Sequence, residues 1–258
     1  MIKITLLSFC SLVLITHLQG QQSKNFEFYN AELKGQVISN KQSIGNDSTL
    51  EALAVFFKDS ACTNVAAILQ HNPTIQELHV MNPPPHFFGM LSTLAPNLIQ
   101  LFIKEYSNEK LVMPSLTKLE ILDIKSSDLT VLDMSKSELP LLEILDVSAE
   151  KLSKWYSVST LPSLGLIELN APLLQVFPID SMPNIVQFSY HCSFIELPTN
   201  LCVYGALMYI SFENYGKIEV SKCLRKKLRN AVYSNISVYD KINGKLSFEL
   251  HSSDYFKE

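Results

Sequence analysis

The chain has 258 residues, 47% of them hydrophobic and 18% charged, with 21 basic against 25 acidic side chains. That length and apolar content sustain a real core and exclude a disordered chain, while a net charge of −4 offers no basic stripe to neutralise phosphates and argues against nucleic acid. Eight glycines are too few for glycine-rich phosphate loops, whereas 38 leucines, crowded between Leu91 and Ile210, ask for a search for repeats.

Residues 1–20 read as a secretory signal peptide. Met1-Ile2-Lys3 is a short basic start, Ile4 to Leu18 is mostly apolar, and Gly20 is a small residue ahead of a cut before Gln21. A membrane anchor needs ~20 unbroken apolar residues, and this stretch is interrupted by Ser8, Ser11, Thr16 and His17. No later segment has the length or apolarity to span a bilayer. The expectation is a secreted, extracellular protein. Export removes Cys10 and leaves Cys62, Cys192, Cys202 and Cys223, which allow three complete pairings. Asn46 and Asn235 stand in glycosylation sequons.

Residues 21–74 read as an N-terminal cap. Phe26 to Ile44 alternates enough for one or two strands. Asn46-Asp47-Ser48-Thr49 would then cap a helix from about Leu50 to Gln70, with Leu50, Leu53, Phe57, Val65 and Ile68 on one buried face.

From 75 to 222 one pattern, apolar-x-x-apolar-x-apolar, recurs about seven times. It fits Ile75/Leu78/Val80, Leu98/Leu101/Ile103, Leu119/Leu122/Ile124, Leu142/Leu145/Val147, Leu164/Ile167/Leu169, Ile185/Phe188/Tyr190 and Leu207/Ile210/Phe212. The spacings stay near ~22 residues, within the range of known solenoid repeats. Pro73, Pro96, Pro140, Pro162 and Pro183 each sit two residues before a unit's first apolar position. Further apolar residues follow ten and thirteen places on, as Leu129/Leu132, Leu152/Trp155 and Leu174/Phe177. Each x-apolar-x-apolar-x is a short strand with its apolar residues inward. One such unit cannot bury its apolar edge alone, so the units stack and the strands form a parallel sheet. So short a period predicts extended stretches, turns or 3₁₀ pieces between strands, with the proline ending each such segment. An eighth, degenerate unit is expected at Tyr233/Ile236/Val238.

These units resemble leucine-rich repeats, best in the stretch Leu139 to Ser148, LPLLEILDVS. The resemblance implies an α/β leucine-rich repeat solenoid, with parallel strands on a concave face, a mostly irregular convex side, and N- and C-terminal caps. The chain departs from the family after the strand, where an Asn or Cys usually satisfies the turn. Here Pro83, Tyr106, Ser127, Glu150, Pro172, Ser193 and Tyr215 stand instead, with Asn82, Cys192 and Asn214 one place away.

Residues 223–258 read as a C-terminal cap: a short basic helix over CLRKKLRNAVY, then an Asn243-Gly244 hairpin into Lys245–Leu250. Signal peptide, cap, repeats and terminal Cys-helix together are similar to the secreted leucine-rich immune proteins of insects, without their coiled coil. Cys202 and Cys223 fall at nearly equivalent places on consecutive units, close enough to bond. Cys62 and Cys192 lie several units apart, and are expected to be free or to offer a link to a partner chain.

No nucleophile motif, metal-ligand spacing or phosphate loop is present, so the sequence predicts no enzyme, no metal and no cofactor. What the strands offer is a surface. Ile121, Ile144 and Leu166 form an outward apolar column, next to an acidic column of Asp123, Asp146 and Glu168, with Tyr209 farther along. An apolar patch rimmed by polar groups reads as a binding site. The expected function is recognition of a protein or other macromolecule on the concave face, in innate immunity by the resemblance, and the acidic column favours a basic ligand. The alternative is a disulfide-linked or edge-docked accessory subunit of an extracellular complex.

Overall fold

Period-two segments rich in Leu, Ile and Val become strands because alternate side chains bury against the core while the rest face solvent. The structure, a computed structural model, describes residues 36–40, 50–158, 160–192, 199–204, 206–207, 209–212, 222–223, 226, 237–242 and 245–250. The signal peptide, the sequons at Asn46 and Asn235, and most of the basic terminal helix lie outside them.

The described chain is α/β, with few helices and a large, mostly parallel sheet. Its first strands are β1 (Gln36–Ser39), β2 (Ala52–Phe56), β3 (Glu77–Met81) and β4 (Gln100–Lys104). Then come β5 (Lys110–Val112), β6 (Ile121–Ser126), β7 (Val131–Asp133), β8 (Ile144–Ala149), β9 (Lys154–Tyr156) and β10 (Leu166–Ala171). The last are β11 (Gln187–Cys192), β12 (Tyr209–Phe212), β13 (Ser237–Ile242) and β14 (Lys245–Leu250). Eleven strands pair in the order β1-β2-β3-β4-β6-β8-β10-β11-β12-β13-β14, and β5-β7-β9 form a second sheet of three. All neighbours run parallel except β13 and β14, which are antiparallel across residues 243–244.

Inward residues of the large sheet, among them Leu78, Leu101, Leu122, Leu145, Ile167 and Phe188, are completely buried. They share one continuous core with Leu111 and Leu132 of the small sheet and with Trp155. Full burial of each such side chain contributes about 1.5–3 kcal/mol. Toward the N-terminal end, aromatics fill the same space: Phe57, Phe87, Phe88 and Tyr106 meet edge-on at 5.1 to 5.8 Å.

Three expectations are corrected. The helix expected over 50–70 is instead β2 followed, after a break at 58–62, by α1 (Thr63–His71). Ala52, Leu53, Ala54 and Val55 are buried on both faces between β1 and β3, and such a continuous apolar run carries no period that separates strand from helix. Asn40 secures the break, its amide donating to Asp59 Oδ1 (2.7 Å) and the Ala61 carbonyl (2.8 Å). Second, the side opposite the large sheet is more ordered than expected. It carries the β5-β7-β9 sheet and, between β3 and β4, the ten-residue helix α2 (Pro85–Leu94), which begins at a proline, where a missing N–H has no consequence. Third, Val238 pairs with Ile210, not with Phe212 as the unit Tyr233/Ile236/Val238 requires.

The prolines have a more specific place than the end of a segment. The N–H groups of Ile75, Leu98, Leu142, Leu164 and Ile185 donate to the carbonyls three residues back, of Asn72, Ala95, Leu139, Leu161 and Met182. Each proline is thus the second residue of a β-turn, where its fixed φ belongs. The residue after it ties neighbouring passes together. Asn97 donates to the Pro73 carbonyl (2.9 Å), Ser163 to that of Pro140 (2.8 Å) and Asn184 to that of Pro162 (2.8 Å). A polar ladder therefore exists, but before the strands. After them the solutions are individual. Asn82 takes a left-handed backbone (φ 51°) and accepts from Ser107, while the buried Ser126 hydroxyl donates to the Tyr106 carbonyl and accepts from the N–H groups of Asp128 and Leu129.

Candidate functional site

The parallel register sets out the outer face of the large sheet as columns. Glu77, Gln100, Ile121, Ile144, Leu166, Gln187 and Tyr209 stand opposite one another in turn. Two residues along each strand, His79, Phe102, Asp123, Asp146, Glu168, Ser189 and Ser211 form the next column. The expected apolar and acidic columns are therefore brought side by side. Ile121, Ile144 and Leu166 are half-buried, and Tyr209 is in the register on β12, its side chain outside the described residues.

The acidic column is less open than expected. Asp123 is only 5% exposed, while Asp146 and Glu168 keep partial access to solvent. Lys125, two residues after Asp123 on the same face, lies between two carboxylates, its ammonium 3.6 Å from Asp123 Oδ2 and 3.6 Å from Asp146 Oδ2. Asp123 Oδ1 is buried with no hydrogen-bond partner among the described residues. Glu168 accepts a long hydrogen bond from the Gln187 amide (3.4 Å). Burial raises all three carboxyl pKa values, and Asp146, also facing the charge of Asp123, is pushed up to about 7. Burial likewise lowers the Lys104 ammonium.

At the β3–β4 end, His79 stacks on Phe102, ring centroids 4.2 Å apart, and pairs with Glu77 at 2.5 Å. Burial lowers its pKa. Neither this stack nor the sharing of Lys125 is visible in the sequence. The alternation of β6 puts Asp123 and Lys125 on one face, but only the folded register puts Asp146 beside the same ammonium.

Cys202 and Cys223 are joined in a disulfide with Cα atoms 5.7 Å apart. Cys62 is a free, buried thiol whose pKa burial pushes up to about 11, which suits it poorly to bonding with another chain. Among the described residues no group of three or more His, Cys, Asp or Glu side chains is arranged to hold a metal ion, and no helix is long and apolar enough to cross a membrane. No family model, no curated protein and no solved structure matches the chain.

Proposed function

We propose that the chain is a secreted leucine-rich repeat solenoid that binds a protein or other macromolecule on the outer, concave face of its large sheet, with a role in innate defence. It acts by recognition and not by catalysis. The observation that carries this reading is the register of β6, β8 and β10, which joins a half-buried aliphatic column to an acidic one in the middle of the face. A short, evenly paired set of parallel strands with fully buried Leu, Ile and Val inside them supports the solenoid. Secretion rests on the N-terminal layout and agrees with the Cys202–Cys223 bond. The test is capture. The immobilised full chain and an Ile144→Ser/Leu166→Ser variant are exposed to extracellular fluid, and retained proteins are identified. A protein held by the first and lost by the folded variant is expected; the same proteins held by both would move the site elsewhere.

A further inference from the structure

The two columns differ in what they lack. Leu166 and Ile144 need only apolar cover. The carboxylates need positive charge, and the face supplies too little of it. Glu77, Asp123, Asp146 and Glu168 stand on β3, β6, β8 and β10, against Lys104 on β4 and Lys125 on β6. Glu77 is taken by His79, and Lys125 is shared between Asp123 and Asp146. Glu168 has no ion pair among the described residues, its neighbours on β11 are the uncharged Gln187 and Ser189, and the one titratable group on the outer face of that strand is His191, opposite Asn170. The next outward positions on β8 and β10 are Ser148 and Asn170, also uncharged, so both lysines lie to one side of Asp146 and Glu168.

We propose that the partner is a protein segment presenting a cationic side chain next to an aliphatic one, the first seated on Asp146 and Glu168 and the second over Ile144 and Leu166. The inference rests on the outer face being the binding surface. The spacing fits side chains two residues apart on an extended segment, which share one face: Ile144 and Asp146 are likewise two residues apart on one strand, about 6–7 Å, and the paired strands are about 4.8 Å apart. Asp123, closed to solvent with one oxygen unpartnered, adds negative potential beneath the seat. In the free protein the raised pKa of Asp146 means that a proton supplies part of the missing positive charge near neutral pH. The incoming cation displaces that proton, so binding releases protons and weakens as the pH falls below about 7.

The probes are three synthetic peptides of equal length, repeats of Arg-Ser-Leu-Ser (Arg-Leu), Ser-Ser-Leu-Ser (Ser-Leu) and Glu-Ser-Leu-Ser (Glu-Leu), which keep the two tested side chains on one face of an extended segment, titrated calorimetrically into the full chain near pH 8 and near pH 5.5. Arg-Leu is expected to bind at the higher pH, with proton release seen in buffers of different ionisation enthalpy. It should bind at least about tenfold more weakly at the lower pH, in an Asp146→Asn/Glu168→Gln variant and in Leu166→Ser. Ser-Leu and Glu-Leu should fall behind by a similar factor. Circular dichroism shows whether each variant is folded. Arg-Leu binding unchanged by the amide variant, or no binding by any peptide, overturns the inference. Ser-Leu binding equally well but lost in Leu166→Ser rejects the cationic partner while sparing the surface; binding indifferent to Leu166→Ser rejects both.

Discussion

Asp146→Asn is expected to make the protein more stable at neutral and alkaline pH, although it removes one end of an ion pair. The side chain keeps its shape and loses its ionisation. In the fold Asp146 holds its proton up to about pH 7, against an ordinary value of 3.8. Burial is the main cause, the charge of Asp123 comes next, and Lys125 works in the opposite direction. A carboxyl that binds its proton more tightly when folded favours the folded state most at low pH. Stability then declines as the pH climbs from about 4 to about 7. At about 1.4 kcal/mol for each pH unit of that interval, the ceiling is about 4 kcal/mol. The side chain is still 24% exposed, so solvent screening brings the expected effect to roughly 1–3 kcal/mol. The amide has no such slope, and Lys125 keeps Asp123 at 3.6 Å. Urea unfolding followed by fluorescence of the single tryptophan, the core residue Trp155, measures both proteins near pH 5 and pH 8. The variant should gain at pH 8, and that gain should shrink to roughly a third near pH 5. A variant less stable at pH 8, or two proteins with the same pH slope, would refute the assignment of burial as the dominant effect.

Other outcomes follow from single positions. Leu141 is 46% exposed and occupies the turn position where Asn97, Ser163 and Asn184 donate to the preceding pass, so Leu141→Asn should reach the Thr117 carbonyl and raise stability by about 0.5–1.5 kcal/mol in urea unfolding. Ser126→Ala strands a buried carbonyl and two N–H groups and should cost about 1–3 kcal/mol by the same measurement. Opening the Cys202–Cys223 bond with a Cys202→Ser/Cys223→Ser variant frees a loop with a sequence separation of 21 and should cost about 3 kcal/mol. Peptide mapping of unreduced protein should recover that bond, and a Cys192–Cys202 peptide would contradict it.

An element is legible in the sequence when it has a period of its own. Strands β3, β4, β6, β8, β10, β11 and β12 lie where the apolar spacing puts them, because alternation against a core leaves a direct mark in the residues. β2 leaves no such mark, since ALAVF is buried on both sides. The three-residue strands β5, β7 and β9 are too short for a pattern; the spacing of Leu132 and Trp155 marks burial there but not pairing. The usual polar ladder after the strands is mostly missing from the sequence, and the ties stand instead at the proline turns before them, where the donors vary among Asn and Ser and leave no uniform mark. For the site, the columns are legible because parallel pairing without slippage repeats a strand position faithfully. The closing of Asp123 and the reach of Lys125 to Asp146 are not, because both depend on side chains crossing between strands.

The central claim, that ligand binds the aliphatic and acidic columns of the large sheet, is tested most directly by hydroxyl-radical footprinting of the protein alone and with its captured partner. Labelling should fall at Ile121, Ile144 and Leu166 and stay unchanged at Val112, Tyr156 and Val176, which are 53%, 51% and 73% exposed away from those columns. Protection of Val112, Tyr156 or Val176 with Ile144 and Leu166 still labelled would contradict it.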